Sequence, residues 1–441
     1  MSSIPMEKAV GHAARSVHSA IARRRIAALG GTTTLGDCLV AMRYLVRPRH
    51  MVRGRVIAKY EQAFAAQVGV RYAFSFATGR VGLYGLLRVL GVGPGDEVLL
   101  QVPTHIVVPN AVHYTGARPV YVDCRLDNYN MDLEQAEQRI TPRTKALVLQ
   151  HTFGIPADLD AALALARRHN LHLIEDCVHA LGATYDGRQV GTFGRAAFFS
   201  TEETKTISTT MGGMVVTDDP ELAEQMRAFQ ESCAWPPEGL TARYLLKLIV
   251  YHVMTEPHLH RVTRPMYELV GRRHPLPRAA SGEELSGVRG RRPANYEQRL
   301  SNAQAELALR QLRRLGSNLA HRRAVAEAYR RLFLDWGIPV PRPPAKAQPA
   351  FVRYPAWVGN REAALRIAAP HAALGTWFTS VLEEAISPAD GGYEEGTCPR
   401  AEAAARHLVN LPTHLRVSAQ DIEPIARAVA REAALPSEGA A

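Results

Sequence analysis

The sequence predicts an α/β fold in which a largely parallel sheet is buried on both faces and a smaller α+β domain follows it. Three observations predict this. Short apolar runs alternate with amphipathic helical stretches from about residue 56 to residue 200. The runs are rich in Val, Ile, Leu and Phe, as strands covered on both sides by helices require. The last hundred residues change character, to Ala-rich helical stretches behind a Pro-rich segment.

Residues 1–50 read as a basic N-terminal extension. Within it, Ala13 to Leu29 sets Arg23, Arg24 and Arg25 beside Ile21, Ile26 and Leu29, the pattern of a basic amphipathic helix, broken by Gly30-Gly31. The large domain is read as residues 51–305. Its expected helices are Val56 to Gln67, Val81 to Leu90, Val107 to Tyr114, Leu133 to Arg139 and Ala161 to His169. Its expected strands are Tyr72 to Phe76, Glu97 to Val102, Pro119 to Asp123, Ala146 to Gln150, Leu171 to Glu175 and Ala196 to Ser200. Residues 231–295 interrupt this order with apolar, basic helical stretches (Leu240 to Met254, Pro265 to Val270) and a Gly-, Pro- and Arg-rich loop (Arg272 to Pro293). Asn302 to Leu315 and Arg322 to Leu332 read as helices, and Pro339 to Pro349 as extended. Residues 306–441 read as the small domain, with helices at Arg361 to Ala368, Ala401 to Leu408 and Asp421 to Ala433.

At 441 residues, with 46% hydrophobic and 22% charged residues, the chain can bury a large core, which excludes a disordered, collagen-like or disulfide-scaffold protein. No stretch has the roughly 18 uncharged apolar residues of a spanning helix; the best run, Leu245 to Met254, is short and holds Lys247. The first residues lack the apolar core of a secretory signal. Five scattered cysteines without a CxxC speak for a reducing, cytoplasmic setting and against a thiolate zinc site. The net charge of +11 is local: residues 1–55 hold 10 Lys/Arg against 2 Asp/Glu, residues 231–295 hold 10 against 6, and the remainder is close to neutral. Such segments suit an anionic membrane or another anionic partner, or are simply a solvated basic surface.

Some motifs are decoys. Gly91-Val-Gly-Pro-Gly95 follows a helix and precedes a strand, the wrong order for a dinucleotide loop. His258-Leu-His260 lacks further ligands at zinc spacing, so no metal is expected. The stronger signal lies at the ends of the later strands, where open α/β sheets bind ligands. Asp176 follows the apolar strand Leu171 to Ile174, with His179 three residues on; Ser200 ends the next strand, and Lys205 and Gly212-Gly213 follow. A carboxylate buried at a strand end requires a partner. Asp, His, Ser and Lys then converge on one crevice.

Order and spacing together resemble the DegT/DnrJ/EryC1/StrS family of pyridoxal-phosphate sugar aminotransferases. The resemblance spans about residues 56–230 and 296–315. It includes Gly93-Pro-Gly-Asp-Glu-Val98, Gly116-Ala-Arg-Pro-Val120, Ile140-Thr-Pro-Arg-Thr-Lys145, His151 to Asp158, Leu173-Ile-Glu-Asp176, Gly182-Ala-Thr-Tyr185, Phe193-Gly194, Thr204-Lys205 and Gly212-Gly213. It implies fold type I of the pyridoxal phosphate enzymes, with a mostly parallel, seven-stranded sheet in the large domain, and at least a homodimer. It implies that Lys205 forms the Schiff base with pyridoxal 5'-phosphate and moves protons. Asp176 would pair with the pyridinium nitrogen. His179 would lie beside the ring's phenolic oxygen, and His105 would stack on the ring. Ser200 and the turn Thr78-Gly79-Arg80 would cradle the phosphate.

The sequence departs from the family pattern at several points. Arg80 stands in the cradle where Thr is usual, and Arg195 where Asp is usual. Met211 replaces an acidic residue, and Glu202-Glu203 precede Thr204-Lys205 in place of apolar residues and Pro. Glu297 stands where an Asn often reaches the partner subunit's phosphate. The resemblance implies transfer of an amino group, with glutamate as the expected donor, to the keto group of a sugar, cyclitol or lipid-linked polyol. Two other readings compete. One is dehydration of a sugar, against which the retained Lys205 speaks, since relatives of that kind carry His there. The other is a non-enzymatic regulatory protein, against which the intact Lys, Asp, His and Ser set speaks. The extension and the insertion read either as packing on the dimer and capping the site, or as docking to an anionic membrane; nucleic acid is not the expected partner.

Overall fold

A computed structural model describes residues 24–260, 263 and 292–436. The central sheet has seven strands: β1 (Tyr72–Phe76), β2 (Glu97–Gln101), β4 (Arg118–Val122), β5 (Thr144–Gln150), β6 (His172–Asp176), β9 (Ala196–Ser200) and β10 (Gly213–Thr217). Their order is β1-β10-β9-β6-β5-β2-β4. The pairs from β9 to β4 are parallel. β10 runs antiparallel to both of its neighbours. The seven-stranded, mostly parallel sheet implied by the resemblance is the one observed.

Helices cover both faces. Leu83, Leu87, Val98, Ile174, Phe198 and Val215 pack on one side of the sheet. Phe64, Leu99, Leu147, Leu173, Phe199 and Met214 pack on the other. Neighbours such as Phe198 and Phe199 fall on opposite sides because successive side chains alternate along a strand. Parallel strands linked by helices bring all their carboxyl ends to one edge, and the site forms there.

The small domain pairs two strands, β12 (Tyr354–Trp357) and β14 (Leu408–Leu411), antiparallel. Around them Tyr329, Phe333, Tyr354, Leu411, Ile425 and Val429 make a separate core. The helix Leu315–Asp335 belongs to both bodies: Leu315 and Leu319 lie in the large core, Val325, Tyr329 and Phe333 in the small one. Two short strands, β3 (Thr104–His105) and β13 (Leu382–Glu383), pair in parallel and tie the small-domain segment 377–384 to the edge of the large sheet.

Three local readings need correction or completion. The helix expected over Ala13 to Leu29 is absent over residues 24–29, which hold a single bridge at Ile26 and a bend at residues 28–29. Ile26 forms a bridge to Ala372 and is buried in the small-domain core, and Arg24 pairs with Asp421. A distant apolar pocket and a carboxylate thus override the local helical pattern. Residues 13–23, 265–270 and 272–291 of the expected segments lie outside the described residues. Strand β10 and helix Pro220–Ser232 went unread behind the Gly-Gly pair, and helix Leu35–Val46 within the extension. That last helix opens with a capping box, in which Thr34 and Asp37 each accept the other's backbone N–H. It packs Cys38, Ala41 and Tyr44 against Leu245 and Leu248 of helix Glu238–Met254 and against Ala303 and Leu307.

Gly213 sits where β10 passes the turn after β1. A Cβ there would lie 2.3 Å from the Gly79 nitrogen and 2.4 Å from the Thr78 carbonyl carbon. We expect Gly213→Ala to destabilise the protein by about 1–3 kcal/mol through overpacking of backbone against backbone. Gly316→Ala, at a helical position with open space around it, should be neutral or mildly stabilising. Urea unfolding midpoints compare the two; equal midpoints would contradict the crowding argument.

Candidate active site

The site starts from two adjacent carboxylates on β6 that face opposite ways. Glu175 turns from the crevice and is fully employed. It accepts N–H bonds from Gly191, Phe193 and Gly194 at 2.7, 2.7 and 2.8 Å and sits 3.2 Å from His151 Nε2. His151 Nδ1 in turn accepts the Ala157 N–H. His151, Glu175 and Cys177 bring possible metal ligands together, yet these bonds make the His–Glu pair an internal strut.

Asp176, at the strand's carboxyl end, faces the crevice. It is 1% exposed and accepts the Val178 N–H at 3.1 Å. Burial pushes its carboxyl up to about 6, against the opposing pull of that N–H, of Lys205 and of His151. Lys205 lies on the loop between β9 and β10, in a turn closed by its N–H to Glu202 O at 3.1 Å. Its ammonium is buried and drawn down to about 8 by desolvation; Arg353 adds to this, while Glu202, Asp176 and Glu384 oppose it. The two side chains therefore feel one another across a single desolvated space, which also takes in Arg353 and Glu384.

The third part is a turn between β1 and helix Gly79–Val89. Thr78 is the N-cap, and its Oγ1 accepts the Val81 N–H at 3.4 Å. Gly79 lets the turn lie on β9: a Cβ there would come to 3.0 Å from Phe199 O. Arg80 is buried, and its carbonyl accepts the Tyr296 hydroxyl. Ser200 ends β9 next to this turn, and its Oγ accepts the Glu202 N–H at 3.2 Å. A helix start with a glycine at its first position is suited to a phosphate.

His179 and His105 flank the space. His179 is buried, stacks on Trp377 with centroids 4.7 Å apart, and leaves its Nδ1 without a partner. Desolvation, with the charges of Lys205, Arg353 and His105, keeps it neutral, well below the usual imidazole range. His105, on β3, sets Nε2 3.4 Å from Glu384 Oε2. Trp377, Glu384 and Arg353 come from the small domain and went unread in the sequence. Trp377 receives Lys205 Nζ at 4.1 Å and Arg353 Cζ at 3.7 Å from its ring centroid. No local pattern marks these residues; the β3–β13 pairing and the domain packing deliver them. Of the residues read from sequence, Lys205, Asp176, His179, His105, Ser200 and the 78–80 turn all gather at this strand edge.

These features suit pyridoxal phosphate. A buried carboxyl held near neutrality could share a proton with the ring nitrogen. An amine of lowered pKa suits reaction with the aldehyde, the orphaned His179 Nδ1 awaits a polar partner, and the glycine-lined helix start would receive the phosphate.

Comparison with known proteins agrees. The model of the DegT/DnrJ/EryC1/StrS aminotransferase family matches residues 39–245 and 253–430. GDP-perosamine synthase of Caulobacter vibrioides is 32% identical over 85% of this chain and 90% of its own length. GDP-perosamine synthase of Escherichia coli O157:H7 is 42% identical over 40% of this chain and 49% of its own. Among solved structures, S. venezuelae DesV in complex with a ketimine intermediate superposes with a TM-score of 0.68 at 29% identity, covering 90% of this chain and 94% of that one. The aminotransferase TlmJ of Streptoalloteichus hindustanus gives 0.70 at 26%, covering 92% and 98%.

The raised carboxyl of Asp176 has a consequence for stability. Its folded pKa, about 6, lies above the ordinary aspartate value of 3.8. The native state therefore holds the proton longer than the unfolded chain. Its contribution is complete below about pH 4 and is lost as pH rises through 6. Freed of cofactor, Asp176→Asn should gain on the native protein across that window, by roughly 3 kcal/mol at most. Chemical denaturation at pH 4, 5, 6 and 7 tests this; a constant difference between the two proteins would refute it.

Proposed function

Because the chain belongs to the DegT/DnrJ/EryC1/StrS aminotransferase family, with pyridoxal phosphate as its cofactor, we propose that it transfers an amino group from glutamate to the keto group of a sugar or a sugar-like polyol. The relatives named for amino-sugar synthesis support that acceptor class. The observation that carries the reading is the convergence of Lys205 and Asp176 on one desolvated space beside the 78–80 turn.

Each residue then has a task. Thr78, Gly79, Arg80 and Ser200 would hold the phosphate, His179 and His105 would flank the ring, and Asp176 would hold a proton at the ring nitrogen. Pyridoxal phosphate, when bound, supplies an aldehyde for amine exchange and a ring that takes up an electron pair from the substrate carbon. Lys205 Nζ, at about 8, exchanges protons near neutral pH and so can take one from the substrate carbon and return it elsewhere. Trp377 and the neutral His179 exclude water from this exchange. The assembly is read as the homodimer that the family resemblance implies.

We infer further that the enzyme works in the cytoplasm at the inner face of an anionic membrane. The five cysteines are all buried and unpaired. No helix among the described residues is long and apolar enough to cross a membrane, so the contact would be peripheral. Among the described residues, eight of the twelve exposed large apolar side chains lie on helices Leu35–Val46 and Glu238–Met254 and the turn after the second, so the exposure is concentrated rather than scattered. Leu35, Leu39, Met42 and Val46 form one helical stripe, and Leu246, Val250 and Val253 another. Exposed Arg43, Arg47, Arg49, Arg53, Arg55 and Arg243 lie on or beside these helices. Apolar stripes with a basic rim suit an anionic lipid surface, where each nearby Lys or Arg contributes about 1 kcal/mol.

Replacement of Lys205 by Ala should abolish the absorbance of covalently held cofactor and slow amine transfer by roughly 10²–10⁴-fold or more. Retention of both would refute the site. In sedimentation with vesicles, the full chain should pellet with phosphatidylserine-containing membranes but not with phosphatidylcholine alone, and raised salt should release it. Leu39→Glu with Val250→Glu should remain soluble without folding cost. If this double variant dissociates an oligomer while wild type never pellets, the face belongs to a second copy and the membrane reading fails.

A further inference from the structure

Lys205 sits in the loop between β9 and β10, residues 201–212, and the two halves of that loop are held differently. After the lysine, helices Asn302–Leu312 and Leu315–Asp335 grip the backbone with side-chain amides. Asn318 donates to Thr206 O at 2.7 Å, and Gln304 donates to Thr209 O and Met211 O. Gln311 donates to Ser208 O and accepts the Ser208 N–H. Before the lysine, the bonds are local. Ser200 Oγ accepts the Glu202 N–H, and Glu202 accepts the N–H and the hydroxyl of Thr204. Among the described residues, the polar side chain that reaches this first half from elsewhere in the fold is Lys247. Its Nζ lies 2.5 Å from Glu203 Oε2.

The helix that carries Lys247 is itself fixed. Leu245 and Leu248 anchor it in the core shared with helix Leu35–Val46, and Tyr244 O accepts the Thr210 hydroxyl at 3.1 Å from the far end of the same loop. Glu203 depends on its partner. Desolvation, then Glu202 and also Glu384, push its carboxyl up, and Lys247 is the cation that opposes them. A carboxylate in such surroundings is costly without a counter-charge. Two departures from the family pattern therefore meet in one contact. Glu203 stands in the stretch where apolar residues and Pro are usual, and Lys247 lies in the insertion. A proline would stiffen the chain before the lysine by itself; here a helix from elsewhere in the fold does so.

We propose that Lys247 is a positioning residue for Lys205: by holding Glu203 it fixes the chain leading to the reactive amine and neutralises the acid nearest to that amine in sequence. The inference rests on the aminotransferase reading and deepens it, since it makes the insertion part of the site's support. An uncompensated charge close to Lys205 displaces the ionisation of its nitrogen, an anion upward and a cation downward. Paired, Glu203 and Lys247 largely cancel at a distance, so the amine is left to the balance of burial, Asp176, Glu202, Glu384 and Arg353.

A spectroscopic titration, rather than turnover, tests this. The absorbance of lysine-held pyridoxal phosphate is followed against pH in the full chain, for wild type, Glu203→Gln, Lys247→Arg and the double variant Glu203→Gln/Lys247→Met. Glu203→Gln is nearly isosteric and leaves Lys247 an unpaired cation. It should lower the midpoint by about half a pH unit or more, roughly a threefold loss of proton affinity. Adding Lys247→Met removes that cation and should reverse most of the displacement, because the two sites are coupled. Lys247→Arg keeps the charge and should stay near wild type. If the double variant fails to fold, Glu203→Gln/Lys247→Gln takes its place. An unmoved midpoint in Glu203→Gln, or a double variant displaced further than the single, as accumulated structural damage would give, overturns the proposal. Wild type without the absorbance of lysine-held cofactor would overturn the site itself, and the role of Lys247 with it.

Discussion

Desolvation of two ionisable side chains in a shared cavity is the interaction on which the rest of this molecule turns. Asp176 and Lys205 each lie in a dry environment that disfavours their charged forms, which draws an ordinary carboxyl up to about 6 and an ordinary amine down to about 8. Each carries enough of the other's field to stay near the edge of ionisation. Proton exchange near neutral pH requires that balance. The seven-stranded sheet, the two-sided helical cover and the small domain serve to keep water from the pair.

The neighbouring Glu175 shows how the same strand separates structure from chemistry. One residue earlier on β6, it faces the opposite layer and is saturated by three backbone N–H groups and His151. Its carboxyl is held below the usual range, although burial alone would raise it. Three backbone N–H bonds and a histidine thus make one acid a permanent anion inside the core, while a single backbone N–H leaves the next one close to its ionisation point.

The two amphipathic helices make one structural unit. Helix Leu35–Val46 of the extension and helix Glu238–Met254 of the insertion bury their inner faces against each other and against helix Asn302–Leu312. Lys247 on the second helix pairs with Glu203, two residues from Lys205. Thr210 of the same loop donates to Tyr244 O. The outer apolar stripes and the loop that carries Lys205 are therefore linked through a single helix. Packing inside and docking outside are compatible, because each helix has two faces.

By itself, the sequence determined the alternation of strands and helices, the seven-stranded sheet implied by its family resemblance, and the residues at the strand ends. Strand periodicity, Gly-Gly pairs and the spacing from Asp176 to Lys205 are local, and local patterns survive folding. It misassigned residues 24–29, because Ile26 finds its partner more than three hundred positions away at Ala372. It could not point to Trp377, Glu384 or Arg353, because their roles arise from packing between domains. Nothing near Arg353 in the chain states that its guanidinium will be buried over the Trp377 ring. That follows only when β12 and β14 pair and Asn410 holds the backbone of Trp377 beside it, since burial and partnership are properties of neighbours in space.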